Sequence, residues 1–139
     1  MVSWTHTTDQ WRVIDHLDLR LADADGAGIW LRFTEGLSGT FSLLDAAGVP
    51  IGVAEAGSDQ VLDNEFAELD VAASSFAGSG PTGFSMQASF VLRFKEAARG
   101  DRYNIELYAT DDNGDVQGPD VMGEFKVGFK NVYMPLITR

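Results

Sequence analysis

From Tyr103 to Ala109 every second residue is apolar, Tyr103, Ile105, Leu107 and Ala109, with Asn104, Glu106 and Tyr108 between them. A period of two places the first set on one face of an extended strand and the second on the other, and it cannot supply the apolar stripe of an amphipathic helix. The same period recurs along the chain. Leu17, Leu19 and Leu21 alternate with Asp18 and Arg20; Ile29, Leu31 and Phe33 alternate with Trp30 and Arg32. Ala67, Leu69 and Val71 oppose Phe66, Glu68 and Asp70, and Met86, Ala88, Phe90, Leu92 and Phe94 share one register. In the last segment Val121, Gly123, Phe125, Val127 and Phe129 are assigned to the core face, against Met122, Glu124, Lys126 and Gly128. Strands that each bury one face and wet the other belong to facing antiparallel sheets, so the chain is expected to be an all-β antiparallel β-sandwich of about seven to nine strands.

Turn residues separate these segments at Asp23 to Gly26, Gly36 to Gly39, Asp45 to Gly48, Gly78 to Gly83 and Asp111 to Asp115. Residues 49–63 show no clear period and are expected to form an irregular loop with a short edge strand. The 139 residues, 45% hydrophobic, suit one core, and the expected domain is 1–130. Residues 131–139, with an apolar run from Val132 to Ile137, are expected to be a C-terminal extension or an edge strand. There is no Cys, so neither a disulfide nor a thiolate metal site is available, and the core alone must hold the fold.

The chain carries 21 acidic residues against 10 Lys and Arg, a formal charge of −11. That balance excludes nucleic acid as a partner, because phosphate binding requires clustered cations, and it disfavours an anionic membrane surface. No apolar run approaches the ~20 residues of a membrane helix, so membrane insertion is not expected. The N-terminal residues lack the charged and apolar regions of a secretory leader; if the protein is exported, that leader is expected upstream.

The run of Gly100, Tyr103, Ile105, Leu107, Ala109, Asp111 and Gly114 resembles the penultimate strand of immunoglobulin-like modules from bacterial multidomain surface or secreted proteins. A wider similarity of pattern spans residues 9–128, including Trp11, Trp30 to Phe33 and Ala109 to Asp112. The Trp-Asp-Phe-Gly-Asp-Gly segment of the related polycystic-kidney-type module is absent. The resemblance implies an immunoglobulin-like β-sandwich that is secreted or on the cell surface. It also implies neighbouring domains of the same polypeptide, with a structural or adhesive role toward a glycan or a surface protein. In such modules a tyrosine at the start of this strand bonds backbone at the preceding bend, a structural role that falls here on Tyr103.

Candidate sites follow from side-chain chemistry. Asp111, Asp112, Asn113 and Asp115 concentrate hard oxygen donors in one turn, which makes calcium the candidate cofactor; the spacing of an EF-hand loop is not met, and the alternative is no cofactor and a turn rich in Asp and Asn for reasons of backbone geometry alone. Asp23 and Asp25 form a sparser acidic turn. Trp30 and Tyr108 point away from the apolar faces of their strands and are the candidate ligand-binding aromatics of a carbohydrate-binding face, with Trp4 and Trp11 as further aromatics. Against this stands burial of those rings on the far side of the sheet or beneath another domain. His6 and His16 fall in no nucleophile or zinc pattern, and Lys126 and Lys130 have no identifiable partner for an isopeptide crosslink. The expectation is therefore a non-catalytic module, with a carbohydrate-binding module as the alternative.

Overall fold

The computed structural model describes residues 2–5, 11–80 and 83–128, the side chains of residues 2, 4, 11 and 27 excepted. The C-terminal segment 131–139, together with His6, Phe129 and Lys130, lies outside the described residues. Among the described residues ten strands form: β1 (Val2–Thr5), β2 (Ile14–Asp23), β3 (Gly26–Thr34), β4 (Thr40–Leu44), β5 (Pro50–Glu55), β6 (Val61–Asp63), β7 (Ala67–Gly78), β8 (Ser85–Phe94), β9 (Arg102–Asp111) and β10 (Val116–Lys126). Short 3-10 turns occupy Trp11–Val13 and Glu96–Ala98.

All pairings are antiparallel and divide the strands between a four-stranded sheet, ordered β1-β8-β7-β6, and a six-stranded sheet, ordered β10-β9-β2-β3-β4-β5. The expected sandwich is thus present, with eight strands of five or more residues and two short edge strands. Its connectivity is that of two meanders, β2 to β5 and β6 to β8, after which β9 returns to lie beside β2.

The predicted inward faces are the core. Leu17, Leu19, Leu21, Ile29, Leu31, Phe33, Met86, Leu92, Tyr103 and Leu107 are each at most 2% exposed. Phenylalanines join the layers: Phe33 of β3 meets Phe76 of β7 with ring centroids 4.4 Å apart, and Phe41 of β4 meets Phe90 of β8 edge-on at 5.6 Å. Asn64 adds a polar tie. Its Oδ1 accepts the N–H groups of Phe66 and Ala67 at 2.8 and 3.0 Å, while its Nδ2 donates to the Gly28 carbonyl of the other sheet at 3.1 Å.

Three departures from simple alternation have local causes. Residues 71–74 of β7 bulge out between the Asp70–Val91 and Ser75–Ser89 pairs. Buried Ser74 closes the gap, donating from Oγ to the Asp70 carbonyl at 2.6 Å and accepting the Val91 N–H at 3.0 Å. In β10, register shifts at Gln117/Asp120 and Val121/Gly123 reverse the expected faces. Val121, expected in the core, is 65% exposed and Gly123 is exposed, whereas Met122 packs on the core and the phase then recovers at Phe125 and Val127. A bulge inserts one unpaired residue and flips every side chain beyond it. Finally, residues 49–63 hold two edge strands, β5 and β6, one in each sheet.

Gly39 illustrates how tightly the layers meet. Its φ of +75° suits glycine, and a Cβ there would lie 2.7 Å from Cε1 of Phe76 and 3.0 Å from Cε2 of Phe33. Gly36, in the same hairpin, also has a positive φ, of +50°, but nothing within 4 Å of a Cβ. Gly36→Ala is expected to cost the backbone strain alone, about 1 kcal/mol, and Gly39→Ala to cost at least about 1–3 kcal/mol more through overpacking. Urea unfolding of the two variants side by side measures the difference.

Candidate functional site

The outer face of the six-stranded sheet carries the densest cluster of polar and aromatic side chains. Its composition follows from alternation, since the residues between the core positions of β2, β3 and β9 must all point outward. Register then decides which of them meet. Arg20 stands opposite Trp30 on one side and Glu106 on the other, and Asp18 stands opposite Arg32 and Tyr108. Trp30 and Tyr108 therefore lie on a diagonal across β2, within reach of one another's long side chains.

Asp18 is the centre of this face and is only 3% exposed. Arg32 grips it with two bonds, Nε to Oδ1 at 2.7 Å and Nη2 to Oδ2 at 2.8 Å, and the Trp30 indole N–H donates to Oδ2 at 3.0 Å. The hydrogen bonding that Arg32 donates to Asp18 raises the guanidinium above its ordinary pKa; burial opposes this, and the Asp18 charge adds to it. Trp30 and Tyr108 stack with centroids 6.4 Å apart and planes at 23°. The Arg20 guanidinium carbon lies 5.1 Å from the Trp30 ring centre and 5.8 Å from that of Tyr108, a cation over two aromatic faces. Its Nε is 3.4 Å from Glu106 Oε1, an ion pair without hydrogen-bond alignment, so that this nitrogen is buried and unbonded. The turn between β4 and β5 rests on the indole, as a Cβ on Gly48 would sit 3.0 Å from Trp30 Cη2.

Trp30 and Tyr108, expected as outward aromatics, are thus brought together, half-buried and bonded into a charged network. Asp18, Arg20, Arg32 and Glu106 were not expected as members. Their signal in the sequence is a set of outward ions at matching places in three strands, and it becomes legible only once the order β9-β2-β3 is known. The side chains of Trp4 and Trp11 lie outside the described residues.

The acidic turns are organised by their own backbone. Asp111 Oδ1 accepts the N–H groups of Asn113 and Asp115, both at 2.9 Å, and Gly114 turns the chain at φ +86°. Asp112 and Asp115 are exposed, and the Asp112 N–H donates to the Val13 carbonyl at 2.8 Å. Asp23 accepts the Asp25 N–H at 2.8 Å and lines, with Asp25, Phe66 and Asp101, an end cleft of about 360 Å³. Among the described residues no three His, Asp or Glu side chains converge as a metal site would require. His16 bonds Asp15 at 2.6 Å, and Lys126 is exposed.

Tyr103 is 1% exposed, and its hydroxyl donates to the Asp101 carboxylate at 3.2 Å. The bond reaches back to the preceding bend as in a tyrosine corner, but its acceptor is a side chain, not backbone. Burial foremost, then the Asp101 charge, pushes the phenol pKa up. No protein-family model, curated protein or solved structure matches the chain.

Two outcomes follow. Asp18→Ala leaves the Arg32 charge and the Trp30 N–H without their partner and is expected to cost about 2–4 kcal/mol, with a red shift of tryptophan emission as the indole gains water; equilibrium unfolding read by fluorescence measures both. For Tyr103 the raised folded pKa means that the folded state holds its proton more tightly. The stability this contributes is present below about pH 10, the ordinary tyrosine value, and is lost as pH rises above it. Melting temperatures between pH 8 and 11 are expected to fall more steeply for the parent chain than for Tyr103→Phe.

Proposed function

We propose that this chain is a non-catalytic structural or adhesive module of a larger extracellular bacterial protein, an immunoglobulin-like β-sandwich that works by presenting surfaces. The observation that supports this most directly is that the acid at the centre of the outer face is fully engaged. Both oxygens of Asp18 are taken by Arg32 and Trp30, and Glu106 faces Arg20. General acid or base work needs a titratable group free to exchange a proton with a substrate, and Asp18, the buried acid at the centre of this face, is held by Arg32 and Trp30 instead. The extracellular setting and the neighbouring domains rest on the resemblance of the Gly100 to Gly114 run. No helix among the described residues is long and apolar enough to cross a membrane.

One observation favours a second reading, carbohydrate binding. Trp30 and Tyr108 form a stacked aromatic pair on the broad sheet face, and sugar rings pack against such surfaces through their C–H faces while an arginine at the edge bonds hydroxyls.

A glycan array probed with the whole chain, together with turnover assays on glycoside and ester substrates, separates the readings. A structural module is expected to show neither retention nor turnover. Retention that Trp30→Ala and Tyr108→Ala each weaken at least tenfold would establish the carbohydrate-binding reading. Turnover abolished by Glu106→Gln would overturn both.

A further inference from the structure

Among the described residues four strands bound the two sheets, and three of these edges are poor templates for another strand. β1 and β6 are four and three residues long. β10 is long but carries two register shifts and Pro119, features that keep an edge from pairing. The fourth edge, β5, has its proline and its one register shift, between Leu43 and Leu44, at its start, and from Gly52 to Glu55 it pairs with β4 in unbroken register; among the described residues no strand lies on its other side.

The hydrogen-bond phase of β5 shows which groups it offers. The Ala56 N–H donates to the Gly39 carbonyl at 3.0 Å, so Gly39 and Ala56 are a bonded pair. Alternation then makes Phe41–Ala54 and Leu43–Gly52 the next bonded pairs, with the peptide groups of Ile51 and Val53 directed away from β4. The side chains of these two residues are 53% and 55% exposed, and Val49 and Val61 beside them are 55% and 58% exposed. An outward N–H and C=O at every second residue, with large β-branched side chains at the same positions, is what an incoming strand requires.

Charge selects what that strand is. Residues 33–92, which supply β4 to β7 and most of β8, contain eight acidic residues and not one Lys or Arg. Glu55 is exposed on β5 itself, with Asp45 and Asp59 exposed in the segments that flank it. Lys95 reaches this region and is bound to Asp63. A second copy would bring the same acids and a further charge of −11 to the contact.

We propose that β5 is a docking strand for an extended basic peptide segment, which adds to the six-stranded sheet through the backbone of Ile51 and Val53, with its cations facing the acidic rim. The surface is an edge, separate from the Trp30 face, and the proposal stands whether or not that face binds sugar.

The test uses the whole chain and a fluorescein-labelled heptapeptide of alternating Lys and Val, followed by anisotropy, with the matching Glu and Val peptide as control. Val53→Pro removes the outward N–H without touching a bond to β4, and Val53→Lys adds a repelling cation at the same point. The Lys peptide is expected to bind and the Glu peptide not. Each variant is expected to lose at least tenfold in affinity with an unchanged unfolding midpoint, so that Val53→Lys decides the matter if Val53→Pro fails to fold. Equal binding of both peptides, binding that survives Val53→Lys, or no binding of the Lys peptide overturns the proposal. So does a dimer in sedimentation equilibrium that Val53→Lys dissolves, since the edge would then belong to a second copy.

Discussion

Contact between phenylalanines of facing sheets is the interaction on which everything else in this molecule depends. With no cysteine available, no disulfide joins the layers, and Phe33 against Phe76, Phe41 against Phe90 and Phe94 against Phe125 are aromatic contacts that bridge them. Aromatic pairs of this kind contribute about 0.5–1.5 kcal/mol beyond the area they bury, and they also fix how the sheets register. Gly39 is small because rings from both layers converge on it, and the hairpin that carries it sets the start of β4. The outer-face network is downstream of this packing. Only when Leu17, Leu19, Leu31 and Phe33 are locked inward are Asp18, Arg20, Trp30 and Arg32 forced outward, in the one pairing that lets them meet.

Burying Asp18 on an outer face is costly unless its charge is matched, and the structure matches it with a bidentate arginine and an indole N–H. The two aromatic rings do more than cover it. By lying across β2 they exclude water from the Asp18–Arg32 pair, which strengthens that pair, and they give Arg20 two ring faces to sit against. A ligand approaching this face meets aromatic surface beside an Asp18 that is already engaged by Arg32 and Trp30. Packing on the rings is therefore available to it, whereas hydrogen bonding must compete with Asp18, Glu106 and each other's partners.

Most of the fold was legible in the sequence because most strands bury large residues on one face. The alternation of β2, β3, β8 and β9 maps residue for residue onto the core. It failed at two places for definite reasons. In β10 the bulge at Val121/Gly123 changes the phase, and a bulge leaves no mark in a sequence beyond a glycine that has other uses. In β5 the size pattern is inverted: Gly52 and Ala54 face inward because Leu62 and Phe41 already fill that space, while Ile51 and Val53 face water. A strand whose large residues are outside reads as a loop. The candidate site was legible only as two aromatics. Its ions acquire meaning from strand order, and β9 reaches β2 across more than seventy residues of intervening chain.

The inverted strand and the uneven charge are connected. An exposed, regular, β-branched edge is ordinarily an aggregation hazard, and soluble proteins blunt such edges with an inward lysine, a proline or a bulge. Here the proline and the register shift of β5 both fall at its start, so the strand from Gly52 onward keeps its capacity to pair. What restrains it from pairing with itself is electrostatic. Sixty residues without a cation supply the edge and its flanks, and two such edges approaching each other bring the exposed Glu55, Asp45 and Asp59 of both copies into one contact. Screening at physiological salt has a range of about 8 Å, longer than the ~5 Å between paired strands, so the repulsion acts at the separation where pairing would occur. A lysine gatekeeper would protect the edge against every partner alike. An acidic surround protects it against other copies of the same chain while leaving it open to a strand of opposite charge.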